Sequence, residues 1–152
     1  MRGLSRRKLL GTSACAVTLL PDAFISTSAL ADDERLAIKG YDPVAYFKLG
    51  SPALGRPLIE YKWDELIYRF VSAEHREVFK SNPIAFMPQF GNFCTGALSR
   101  GEVVEADPKN WIVAEGMLYL FSKPAGPVLF RKATEEIVIK ANTNRSLIEK
   151  RQ

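Results

Sequence analysis

The sequence predicts an α+β fold, a small antiparallel sheet built from hairpins with flanking helices. Two stretches alternate apolar and polar side chains around a short turn, as paired antiparallel strands do. Amphipathic segments with capping residues lie beside them. No regular strand–helix–strand alternation runs through the 152 residues, so a parallel sheet is not indicated.

The N-terminus comes first. Arg6-Arg7 precede an apolar stretch, and Ala29-x-Ala31 offers a cleavage site, the order of an export signal of twin-arginine type. Thr12, Ser13, Pro21 and Asp22 interrupt the apolar stretch, which is too polar for a stable membrane span. Residues 1–31 are expected to be removed after Ala31, leaving one periplasmic domain of 121 residues, 32–152. The leader holds four of the 21 basic and one of the 17 acidic residues. The remainder, 17 against 16, has a net charge near +1 and no basic stripe, so nucleic acid is not an expected partner.

In the domain, Asp42 and Pro43 are placed to cap and start a short helix, Val44 to Leu49, that stops at Gly50. Ser51–Pro57 reads as a loop, and Leu58–Val71 as a hairpin turning at Asp64-Glu65. Ser72 caps a helix that ends at Asn82-Pro83, with His75, Val78 and Phe79 on one face. Glu102–Ala106 is expected to be a strand, and Asn110–Ser122 a hairpin folded at Glu115-Gly116. Pro124 and Pro127 mark a loop, and residues 132–150 read as one C-terminal helix with Ile137, Val138, Ala141 and Ile148 as its apolar stripe. No internal repeat is legible.

Four segments resemble the YHS domain family: Gly40–Phe47 (GYDPVAYF), Tyr68–Pro83 (YRFVSAEHREVFKSNP), Pro88–Cys94 (PQFGNFC) and Asp107–Phe121 (DPKNWIVAEGMLYLF). The resemblance spans most of the domain. It implies a small binding fold, and in metal-binding relatives a thiolate site. At the positions matching that site's cysteines this chain has Ala45, Val71 and His75, so the resemblance implies that the usual site is lost. Exported relatives carry Gly-Gly-x-Cys-Ala where this chain has Gly91–Thr95. Asn92 would then supply the left-handed backbone of a second glycine.

Cys94 is the single cysteine of the domain, so it is expected to be buried, metal-bound or paired with another chain. Were Cys94, His75 and a methionine (Met87 or Met117) to converge, the soft donors would suit copper. Three roles stay open. The first is a non-catalytic module binding a protein partner or a small ligand, in heavy-metal handling if a soft ion is held. The second is a thiol enzyme or redox protein using Cys94 with His75, oriented by Asp42, Glu74 or Asp107. The third is a scaffold whose aromatics are core and whose Phe86, Phe90 and Phe93 form an exposed apolar surface.

Overall fold

Two hairpins carry the fold, and each begins where alternating side chains meet a turn of two residues. In the first, β1 (Arg56–Trp63) pairs antiparallel with β2 (Leu66–Phe70) around Asp64-Glu65. In the second, β3 (Asp107–Ala114) pairs with β4 (Met117–Phe121) around Glu115-Gly116. All four turn residues have positive φ, between 48° and 73°, which matches the twist of the flanking strands. The computed structural model describes residues 36–149, and it is α+β as predicted. The export signal and its cleavage site lie outside those residues. The hairpins stay two separate two-stranded ladders.

Among the described residues seven α-helices surround the hairpins. They are α1 (Ala45–Lys48), α2 (Ala73–Ser81), α3 (Pro83–Phe86), α4 (Thr95–Leu98), α5 (Ala125–Lys132), α6 (Thr134–Thr143) and α7 (Ser146–Glu149). Ser72 caps α2 as expected, its hydroxyl accepting from the His75 backbone N–H. None of these helices is long and apolar enough to cross a membrane.

Four expectations need correction. Arg56 and Pro57 belong to β1 rather than to a loop, because Arg56 pairs with Phe70 across a bulge. Glu102–Ala106 is not a strand. Its backbone instead bonds the 92–94 segment, with Cys94 N–H on the Val104 carbonyl and Ala106 N–H on the Asn92 carbonyl. The stretch read as one C-terminal helix is two, α6 and α7, and the loop expected at Pro124 and Pro127 is helix α5. Pro127 sits in the first turn of α5, where a missing N–H costs nothing, and the chain breaks at Ala133 and again at Asn144-Arg145.

The stripe survives these breaks. Ala141 and Ile148 are buried and Ile137 and Val138 half-buried, all against Phe90, Phe121 and Phe130. A second cluster gathers Tyr46, Tyr68, Phe70 and Phe79. Strand β4 joins the two: Leu118 and Leu120 point into this cluster, while Tyr119 and Phe121 point into the other. Burial pushes the Tyr46 and Tyr68 phenols far above their ordinary range, and the Tyr46 hydroxyl donates to the Pro108 carbonyl at 2.9 Å.

The structure also reveals a repeat that the sequence hides. Residues 40–79 and 91–130 carry the same order of elements at an offset of about 51. Each runs from a left-handed glycine (Gly40, Gly91) through a four-residue helix to a second one (Gly50, Gly101), then a hairpin and a helix. Both hairpins shift register at the same place, between Arg56 and Glu60 and between Asp107 and Trp111. Tyr68 lies on Phe79 with ring centres 4.6 Å apart, and Tyr119 on Phe130 at 4.7 Å. Six of the 40 paired positions are identical, among them Pro57/Pro108, Phe70/Phe121 and Phe79/Phe130. Matches this sparse do not stand out in the sequence.

Asn92 acts differently from the expectation. It does not take the left-handed conformation; Gly91 does, at φ 57°. Its side chain reaches back 54 residues instead, with Oδ1 accepting from the Ile38 N–H at 2.6 Å and Nδ2 donating to the Leu36 carbonyl at 3.3 Å. Ile38 is a buried β-branched residue at φ 52°, a conformation that needs such support. Asn92→Ala should therefore lower stability by about 2 kcal/mol in urea unfolding. A loss under about 0.5 kcal/mol would mean that the clamp contributes nothing.

Candidate functional site

The chemistry-bearing side chains fall into separate places. Asp42 precedes α1 and is fully buried, yet each carboxylate oxygen is used. Oδ1 accepts from the N–H groups of Val44 (2.8 Å) and Ala45 (3.3 Å), the capping role read from the sequence. Oδ2 accepts from the Val71 N–H at 2.9 Å and lies 2.7 Å from His75 Nδ1. A carboxylate surrounded by N–H donors acts as acceptor, so Nδ1 carries the ring's proton. Asp42 is thus both cap and imidazole-orienting group. Of the other two residues considered for that task, Asp107 accepts from the Lys109 N–H, and Glu74 makes no side-chain hydrogen bond among the described residues.

His75 is 8% exposed, on the inner face of α2 where its spacing with Phe79 placed it. Cys94 belongs to the other cluster and is 5% exposed. Its sulfur caps α4, accepting from the Ala97 N–H at 3.4 Å, and receives the Ser122 hydroxyl at 3.4 Å. Beside it, the buried Thr95 hydroxyl has no partner among the described residues. Met87 ends α3 and lines a shallow depression with Asp64, Tyr68 and Arg145. Met117 packs half-buried and accepts from the Tyr119 hydroxyl at 3.8 Å.

A cavity of about 350 Å³ opens at Cys94. Ala97, Phe121, Leu129 and Ile137 give it apolar walls, while Arg100, Lys123, Ser99 and Ser122 contribute polar groups. Neither His75 nor Met87 lines it. The three candidate soft donors therefore share no cavity. Among the described residues no three His, Cys, Asp or Glu side chains form a group able to hold a metal ion.

The cavity was not legible in the sequence, because its walls come from α4, α5, α6 and β4. The expected apolar surface is also corrected. Phe90 is buried, and Phe86 and Phe93 pack against the two clusters, Phe86 meeting Phe47 edge-on at 5.3 Å. The exposed large apolar residues lie elsewhere, Leu54, Leu58 and Ile84 among them.

Comparison of the chain with protein-family models, with curated proteins and with solved structures gives no match. Geometry and sequence pattern carry the functional reading.

Proposed function

We propose that the protein is an exported, non-catalytic binding module of the YHS type, and that it holds a small ligand in the cavity at Cys94. The observation carrying this is the cavity itself. Its volume lies at the small end of ligand pockets, and it combines apolar walls with a few converging polar groups. The order of the leader supports export, and the four landmark segments support the YHS reading.

A thiol enzyme would need an imidazole within reach of Cys94. His75 is instead held by Asp42, and the Cys94 sulfur is engaged by Ala97 and Ser122. Copper handling would need Cys94, His75 and Met87 to gather around one ion, and Met87 lines a different depression.

A fragment screen followed by amide NMR tests the proposal. Binders should shift Gly96, Ala97, Ala125 and Gly126 together. Ala125→Trp, at an exposed position on the cavity wall, should weaken them at least about tenfold while changing stability by under about 0.5 kcal/mol. A screen in which no compound moves this set overturns the proposal. Copper in the same spectra should not perturb Cys94 and His75 together. Joint perturbation with matching uptake would restore the metal reading.

A further inference from the structure

The repeat gives the cavity a counterpart in the first unit. In the first unit the Asp42 N–H donates to the Ala53 carbonyl at 2.9 Å, and in the second the Cys94 N–H donates to the Val104 carbonyl at 2.8 Å. Ala53 and Val104 are 51 residues apart, so Cys94 occupies the place of Asp42, with one extra residue in the preceding turn. The side chains agree. Asp42 accepts from the third residue onward, Ala45, and from Val71. Cys94 accepts from its own third residue, Ala97, and from Ser122, the counterpart of Val71.

The counterpart of His75 is Gly126, which has no side chain and lines the cavity. A Cβ there would come within 2.4 Å of the Phe121 side chain, so α5 sits closer to its hairpin than any larger residue would allow. The first unit fills its site with its own imidazole, whereas the second has none there and its cavity opens beside Cys94.

The charges at the two sites differ as well. Arg100 and Lys123 line the cavity at positions filled in the first unit by Leu49 and Ser72. No carboxylate lines it, although Glu102 meets Arg100 at 3.6 Å. Lys123 makes no ion pair among the described residues. Helix α5 follows Pro124, which gives it no side-chain cap; its Gly126 N–H donates to the Lys123 carbonyl at 2.9 Å, and Ala125 and Gly126, at the positive end of its dipole, line the same space. Phe121, Leu129 and Ile137 line the same cavity. The second unit has exchanged a buried carboxylate closed by imidazole for an open, cationic, half-apolar cavity.

We propose that this cavity binds a small amphipathic monocarboxylate. Its carboxylate lies at Arg100, Lys123 and the start of α5, and its apolar chain lies against Phe121, Leu129 and Ile137. This rests on the binding reading above and specifies its ligand class. The test uses three probes of one length, hexanoate, 1-hexanol and hexylammonium, titrated into the full chain and followed at the Gly96 and Gly126 amides. Hexanoate should bind about tenfold more tightly than hexanol, and hexylammonium should not bind. The double substitution Arg100→Gln, Lys123→Gln, at two exposed side chains, should erase the preference for hexanoate while hexanol binding stays unchanged. Hexanol or hexylammonium binding as tightly as hexanoate overturns the carboxylate assignment and leaves the binding reading standing. Silence of all three probes also overturns it, and the fragment screen then decides the binding reading by itself.

Discussion

Asp42→Ala should lower the stability of the folded domain by about 3–5 kcal/mol, read as a fall in the urea midpoint at unchanged slope. The reason is the number of groups that share one carboxylate. Its removal leaves the Val44 and Val71 N–H groups and the His75 ring without their acceptor in a site closed to water. Each orphaned buried donor costs about 1–3 kcal/mol, and the losses are coupled because one side chain serves them all.

Two milder variants separate the contributions. Asp42→Asn keeps an acceptor for the Val44 and Ala45 N–H groups but turns an amide NH₂ toward the Val71 N–H, which stays unsatisfied. His75→Ala leaves the carboxylate with its backbone donors. Each should cost about 2 kcal/mol, less than Asp42→Ala. A loss below about 1 kcal/mol in Asp42→Ala would show that the residue is a helix cap and nothing more.

What the sequence made legible divides by physical origin. Features carried by local chemistry were readable. The Ser72 cap, the turns at Asp64-Glu65 and Glu115-Gly116, the alternation of β2, and the inward placing of His75 and Phe79 all depend on residues a few positions apart. Burial was one of the three fates open to Cys94, the one free thiols usually take, and the residue is buried.

Features set by long-range geometry were not readable. Glu102–Ala106 has the composition of a strand, but its backbone groups are taken by the 92–94 segment. Asn92 looked like a substitute for glycine, whereas its amide spans 54 residues to hold Ile38. The absence of an imidazole at the cavity shows only when Gly126 is set beside His75 in the other unit. That comparison in turn needs the repeat, and the repeat is carried by register and burial more than by identical residues.

The repeat also governs how the fold should respond to damage in its core. Phe79 is fully buried among Tyr61, Trp63, Tyr68 and Phe70, with ring centres 4.6–6.3 Å away. Phe79→Ala removes the ring these four share and leaves a void that rigid aromatics cannot fill. A cost of about 3–5 kcal/mol follows. Phe130, its counterpart, meets only Tyr119 and Phe121 as ring partners among the described residues, so Phe130→Ala should cost less. It should also weaken binding at the cavity, since Phe121 and Leu129 line that space, whereas Phe79→Ala should leave the affinity of the surviving folded protein unchanged. Because β4 sends alternate side chains into both clusters, neither unit can lose its core alone. Both variants should unfold in one transition, coincident by tryptophan fluorescence and far-ultraviolet circular dichroism. Two separated transitions would mean that the halves are independent. A loss below about 1.5 kcal/mol for Phe79→Ala would contradict the packing of the first cluster.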